Sequence, residues 1–71
     1  MTHKFYFMQS SMLSSCEYNE ENKELTVTFS NGKDYIYEDV GKSTYDSLIT
    51  AESAGKYFNS IKGQLKIKRP E

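Results

Sequence analysis

Two short alternating segments flank an Asn31-Gly32 pair, and this arrangement constrains the fold more than any other feature of the sequence. In the first segment, 25–29, apolar side chains at every second position predict a half-buried strand. The second segment, 34–38, is rich in tyrosine and isoleucine, which favour strands. Asn-Gly is typical of a two-residue hairpin turn, because both central positions of that turn require positive φ. The sequence therefore predicts an antiparallel hairpin over 25–38.

The segments on either side of this hairpin extend the predicted sheet. Residues 12–18 form another predicted strand, and the polar stretch 19–23 is the turn that joins it to the hairpin. Three strands in this order form an antiparallel meander. Residues 4–8 are predicted either as a fourth strand at the sheet edge or as a flexible arm. The alternating segment 64–68 is a candidate for a last strand before Pro70.

After Val40 the apolar residues change from a period of two to the helical period of about 3.6. The face of a first predicted helix is formed by Tyr45, Leu48 and Ile49. Ser43 or Thr44 is the predicted N-cap, since a hydroxyl oxygen can accept a hydrogen bond from the free amides of a first helical turn.

A second short helix is predicted over 54–61. Its apolar face is formed by Tyr57, Phe58 and Ile61. Ser53 is the predicted N-cap of this helix, and Gly63 is its predicted stop. Because the strands precede the helices, the predicted class is α+β. The sheet is a three-stranded antiparallel meander, or four-stranded if 4–8 joins it, followed by two short helices packed on one face.

The length of 71 residues allows one domain. We divide the chain into an N-terminal arm or edge strand (1–8), the domain itself (9–63) and a basic C-terminal tail (64–71). No run of about 18 apolar residues is present, and the N-terminus lacks the pattern of a signal peptide. Cys16 is the single cysteine, so no internal disulfide can form. These features favour a cytoplasmic protein.

Charge is distributed unevenly along the chain. Residues 1–55 carry four lysines and nine acidic residues, whereas 56–71 carry five basic residues and one acid. The C-terminal segment therefore has a net charge of +4 against −5 for the rest of the chain. Such a segment is either a solvated tail or a basic patch for nucleic acid or an acidic protein.

An ordered series of residues around Tyr35-Ile36-Tyr37 resembles the KTSC domain family. Its other members are Ser10-Ser11, the strand ending at Tyr18, residues 25–29, Gly32, Val40, Tyr45, Leu48, Ala51, Ser53, Gly55 and Tyr57-Phe58-Asn59. The family is named for a segment at the C-terminus of some lysyl-tRNA synthetases, and it also occurs as a stand-alone protein in bacteria and phages. The resemblance implies the family fold. RNA binding is implied only by analogy with the synthetase context.

The chain departs from the family pattern in two places. Gly41 stands where the family usually has proline, so the start of the first helix should be less restricted. The basic residues of the tail replace an aromatic with which the family often continues. The resemblance therefore implies nothing about the tail.

Candidates for catalysis are few. Cys16 lies within a predicted strand, where a small core residue is favoured over a reactive thiol. His3 is the only histidine and is predicted to be exposed. No His/Cys spacing is typical of a zinc site. We therefore predict no catalytic residues, no metal, no cofactor and no enzyme activity.

A nucleic-acid-binding module is the first functional hypothesis, with RNA or another single strand as the partner. Tyrosine rings would stack on bases, and nearby cations would contact phosphates. The candidate residues are Tyr35, Tyr37, Lys56, Tyr57, Asn59, Lys62, Lys66, Lys68 and Arg69. Two alternatives remain open: the tyrosines could instead pack in the core, and Asn59 could tie its helix to Ser10-Ser11 or a strand.

A protein-interaction module is the second hypothesis, such as a phage protein that inhibits a host factor. Phe5, Tyr6 and Phe7 form an aromatic cluster that would suit a host protein or a homodimer. A weaker alternative is a small-ligand binder with its pocket at a subunit interface.

Overall fold

The computed structural model describes residues 2–8 and 10–70, so the predicted segment boundaries at residues 1, 9 and 71 lie outside the described residues. A five-stranded antiparallel sheet has its strands in sequential order, and two helices lie between the fourth strand and the fifth. The elements are β1 (Thr2–Tyr6), β2 (Leu13–Asn19), β3 (Glu24–Phe29), β4 (Asp34–Glu38), α1 (Lys42–Thr50), α2 (Ala54–Ile61), a 3₁₀ turn (Lys62–Gln64) and β5 (Lys66–Pro70).

This architecture confirms the predicted α+β class and corrects the number of strands. Residues Thr2–Tyr6 pair with β2, and Lys66–Pro70 pair with β4, so the meander has five strands rather than three or four. Both additional strands lie at the edges of the sheet. An edge strand has only one neighbour. In β1 and β5 the alternating pattern is short and includes lysines, so from the sequence each strand is hard to distinguish from a tail. No helix in the described part of the chain is long and apolar enough to cross a bilayer.

The turn between β3 and β4 differs from the predicted two-residue turn. Gly32 has a φ of 90°, whereas Asn31 is not among the residues with positive φ. The Gly32 amide donates to the Phe29 carbonyl over 2.9 Å, and the Phe29 amide donates to the Lys33 carbonyl over 2.8 Å. This is a type I turn followed by a glycine bulge. The Asn31 side chain favours it by accepting a hydrogen bond from the Lys33 amide over 3.0 Å.

The start of α1 also corrects the prediction. Gly41 is the N-cap, with φ −74° and ψ 153°, and no side chain caps the helix. The amides of Thr44 and Tyr45 donate to the Gly41 carbonyl, so the helix begins before the hydroxyl of Ser43 or Thr44 can act as a cap.

Helix α2 has the predicted bounds and the predicted N-cap. Ser53 Oγ accepts a hydrogen bond from the Lys56 amide over 3.4 Å. Gly63, the predicted stop, lies inside the 3₁₀ turn that follows the helix.

Helix α2 is held to the sheet by an aromatic cluster. The Phe58 side chain is fully buried. Its ring centroid lies 5.7 Å from that of Phe29 and 5.6 Å from that of Tyr37, with interplanar angles of 69° and 71°. Edge-to-face pairs of this kind stabilise beyond the area that they bury, by about 0.5–1.5 kcal/mol each.

Helix α1 is held to the sheet by Tyr18 on β2. The Tyr18 ring stacks on Tyr45 at 5.1 Å, and its hydroxyl donates to the Val40 carbonyl over 2.6 Å. Burial raises the pKa of Tyr18, so the hydroxyl keeps its proton. A buried phenol with its hydrogen bond satisfied thus connects the middle of the sheet to the segment that begins α1.

Replacing Gly41 by proline tests the junction before α1. The φ of −74° suits proline, and a Cβ at this position would have Ser43 Oγ as its nearest contact, at 3.9 Å. We expect Gly41→Pro to raise the free energy of unfolding by about 0.4–1 kcal/mol, because it restricts the unfolded chain. Urea denaturation measures the change. Gly32→Ala is the matched control and should destabilise, since φ is 90° there; a destabilised Gly41→Pro variant would contradict the reasoning.

Candidate nucleic-acid interface

The two tyrosines of β4 lie on the face of the sheet that the helices cover. Tyr37 pairs with Leu25, and Tyr35 pairs with Val27, so both rings share the core side of the sheet. Tyr37 is 7% exposed, and burial raises its pKa. Tyr35 is half-buried and meets Phe29 edge to face at 5.3 Å. Tyr37 therefore presents no free ring face to a base, and Tyr35 presents little of one.

The tail lysines lie on the opposite face and contact acidic residues. Lys66 Nζ is 3.4 Å from Glu38 Oε1, and Lys68 Nζ is 2.6 Å from Glu24 Oε2. Lys68 reaches Glu24 because β5 has a register shift: Arg69 pairs with Ile36 and Ile67 pairs with Tyr37, leaving Lys68 as the extra residue. The side chain of Arg69 lies outside the described residues. Much of the positive charge of the tail is offset by these carboxylates.

The outer surface of α2 carries basic residues without such partners. Lys56 and Asn59 are exposed on the helix, and Lys62 is exposed directly after it. Lys56 and Asn59, three residues apart, share an exposed side of α2, and Lys62 lies in the 3₁₀ turn that follows it. In the described part of the chain, no carboxylate lies within ion-pair distance of Lys56 or Lys62.

A cleft of about 300 Å³ adjoins this surface, between the segment before β2 and the start of α2. It is lined by Ser10, Ser11, Met12, Ser53, Gly55, Lys56 and Asn59. The two walls meet at Gly55, where a Cβ would lie at ordinary van der Waals distances of 3.6 Å from Met12 Cβ and 3.7 Å from Ser10 Oγ. Asn59 Nδ2 is 3.7 Å from Met12 Sδ, so Asn59 links α2 to the segment that contains Ser10-Ser11.

Ser10 shapes the opposite wall of the cleft. Its Oγ accepts hydrogen bonds from the amides of Met12 and Leu13, over 3.2 and 3.0 Å. Sequence reasoning did not identify this cleft. Two signals for it were present, namely a glycine inside a helix, which often marks a close approach, and the pair Ser10-Ser11.

The structure thus divides the nine predicted nucleic-acid contacts into three groups. Lys56, Tyr57, Asn59 and Lys62 lie together on or beside α2, and Tyr57 is half-buried against the core. The β4 tyrosines lie beneath the helices. The tail residues with described side chains, Lys66 and Lys68, lie on the other face of the sheet.

The predicted protein interface lies on and beside β1. Phe5 and Phe7 are half-buried and meet edge to face at 5.2 Å, whereas Tyr6 is 60% exposed. Met8, which sequence reasoning did not select, is 90% exposed. A second cavity of about 300 Å³ lies between this segment and the α1–α2 connection, where Ile49 and Ala54 form part of its wall.

The remaining candidates for chemistry are Cys16 and His3. Cys16 is 1% exposed, and burial raises the pKa of its thiol to about 12. His3 Nε2 lies 3.4 Å from Glu20 Oε2. Within residues 2–8 and 10–70, no group of three or more His, Cys, Asp or Glu side chains could hold a metal ion.

The buried thiol should make stability fall in alkali. An exposed thiol loses its proton near pH 9.0, whereas the folded chain retains it until about pH 12. The folded state therefore binds more protons in this window, and the free energy of unfolding falls as pH rises, by up to about 1.4 kcal/mol per pH unit.

Replacing Cys16 by alanine should remove this contribution. We expect the variant to be less stable at neutral pH but to lose less stability between about pH 9 and pH 10. Denaturant titrations at several pH values measure the two slopes. Tyr18 and Tyr37 are common to both proteins, whereas Cys16 helps to raise the pKa of Tyr45, so the difference in slope includes that coupling. Identical slopes would contradict a buried, protonated thiol.

Comparison with known proteins agrees with this fold. The family model described as the KTSC domain matches residues 9–64. An uncharacterized protein of Stutzerimonas stutzeri is 41% identical over 54 residues, covering 76% of each chain, and a protein of Tsukamurella paurometabola is 32% identical over 54 residues, covering 76% of this chain and 81% of its own. The crystal structure of a KTSC domain protein from Yersinia pestis matches with a TM-score of 0.84 and 25% identity, covering 97% of both chains. The chain therefore belongs to the KTSC domain family.

Proposed function

We propose that this chain is a non-enzymatic module of the cytoplasm that binds single-stranded RNA or another nucleic acid through the outer face of α2. The observation that carries the proposal is the exposure of Lys56 and Asn59 on α2 and of Lys62 directly after it, with no carboxylate beside either lysine in the described residues. Lysine side chains without a carboxylate partner can neutralise phosphates and so release the counterions of the nucleic acid.

The adjoining cleft supplies polar groups for the same ligand. The hydroxyls of Ser10 and Ser11 lie on one wall, and the first turn of α2 lies on the other. The Lys56 amide is already bonded to Ser53 Oγ, so this helix end favours an anion through its dipole rather than through that amide. Among Tyr35, Tyr37 and Tyr57, we place the base on Tyr57, because its half-buried ring is next to Lys56 in the helix.

The proposal narrows the set of contacts expected from the sequence. Tyr37 supports α2 through Phe58 and Tyr35 packs on Phe29, so neither ring is part of the proposed stacking surface. Lys66 and Lys68 serve mainly to offset the carboxylates of Glu38 and Glu24. The binding surface is therefore smaller than one that includes the tail, and its affinity should be modest.

Titration into fluorescent single-stranded RNA and DNA, at two or more salt concentrations, tests this function. For single strands the slope of log K against log salt is about −0.7 for each phosphate neutralised. We expect Lys56→Gln with Lys62→Gln to weaken binding and to make the slope less steep by about 1.4.

The matched control is Lys66→Gln with Lys68→Gln, which removes the same charge from the opposite face. This control should leave the slope nearly unchanged. Absence of binding at low salt would exclude the function, and so would binding that does not respond to salt. Equal effects of the two double variants would show that α2 is not the contact surface.

A further inference from the structure

The outer edge of β1 is a feature that nucleic-acid binding does not use. β1 pairs with β2 alone. The Phe7 amide donates to the Ser14 carbonyl over 2.9 Å, so these residues form a hydrogen-bonded pair. Such pairs alternate along an antiparallel ladder, and Phe5 therefore also directs its backbone groups toward β2. The residues whose N–H and C=O groups point outward from the sheet are Thr2, Lys4 and Tyr6.

The side chains at this edge add an exposed apolar surface. Tyr6 and Met8 are two of the three large apolar side chains most exposed among the described residues, and Ile67 at the opposite edge is the third. Lys4 Nζ lies 5.3 Å from the centroid of the Tyr6 ring. An unpaired edge beside exposed apolar side chains is a template for pairing with another strand.

We propose that two copies of this chain associate through antiparallel pairing of their β1 strands, in a register centred on Phe5. In this register Lys4 of each copy lies opposite Tyr6 of the other. Both residues direct their backbone groups outward, so the new ladder can form its hydrogen bonds without disturbing the one with β2. Two contacts between a lysine and an aromatic ring result, each of which is attractive.

The two neighbouring two-fold registers, shifted by one residue in either direction, also preserve this hydrogen bonding but are less favourable. A register centred on Lys4 places two lysines directly opposite each other, and like charges in that position destabilise a sheet. A register centred on Tyr6 places Lys4 opposite Met8 and gives the cation no aromatic partner. The match between the Lys4 cation and the Tyr6 ring, which already lie 5.3 Å apart within one chain, makes this edge complementary to a second copy of itself and favours the register centred on Phe5 over these two.

The mass of the chain in solution is the first test. Light scattering or sedimentation over a wide range of protein concentrations should show the mass double as concentration rises. Tyr6→Pro removes an outward N–H that β2 does not use, and this variant should remain a monomer with an unchanged circular dichroism spectrum. The matched control, Ile67→Ser, removes an exposed apolar side chain from the opposite edge and should dimerise as the natural chain does.

A monomer at every concentration would overturn the proposal, and so would a folded Tyr6→Pro variant that dimerises normally.

Cysteine cross-linking tests the register independently, should Tyr6→Pro fail to fold. In the proposed register position 5 faces itself across the two-fold axis, as a non-hydrogen-bonded pair with Cα atoms about 4.5 Å apart, within reach of a disulfide.

Under mild oxidation, Phe5→Cys should form a covalent dimer several-fold faster than Lys4→Cys or Tyr6→Cys. All three variants also carry Cys16→Ala, because Cys16 lies opposite position 5 across β1 and β2 and could form a disulfide within one chain with a cysteine placed there. Faster cross-linking at position 4 or position 6 would overturn the register.

Discussion

The insertion of Phe58 between the rings of Phe29 and Tyr37 is the contact on which the rest of the structure depends. It anchors α2 on one face of the sheet and so determines which side of the helix meets water. Truncation of a fully buried phenylalanine costs about 3–5 kcal/mol. In a domain of 71 residues that is a large share of the total free energy of unfolding, which is at the low end of about 5–15 kcal/mol.

The same contact brings Gly55 against Ser10 and Met12 and so forms the cleft beside Lys56. The core and the proposed binding surface are therefore two sides of one helix. The other face of the sheet has a different electrostatic character, because the carboxylates of Glu24 and Glu38 meet lysines of β5. Exposed ion pairs of this type contribute only about 0–1 kcal/mol each to stability. Their larger effect is to remove free positive charge from that face.

Local features predicted local structure well. The bounds of β4 and α2 follow from residues within each segment: an alternating run in one case, and Ser53 with an amphipathic pattern in the other. The turn at Gly32 was predicted in place but not in type, because the Asn31 side chain favours a type I turn by bonding to the Lys33 amide.

Features that depend on distant parts of the chain were not predictable in the same way. The pairing of β5 with β4 decides that Lys66 and Lys68 contact carboxylates, and the sequence contains no local sign of it. The sequence predicted that the side chains of Tyr35 and Tyr37 lie on the same face of their strand, but not which face of the sheet that is. Which face the helices cover depends on the packing of Phe58, so the sequence left a stacking role for these tyrosines open.

The sequential order of the five strands has a consequence for how the chain folds. Each strand except β5 pairs with a neighbour that is only a short turn away, so most of the sheet forms with little loss of chain entropy. The two helices lie between β4 and β5, so the pairing of β5 closes the longest loop in the sheet. The order of strands also puts β1 and β5 at opposite edges of the sheet. A protein fused before β1 would therefore enter the domain on one side and one fused after β5 would leave it on the other, so that the domain would act as a spacer between them.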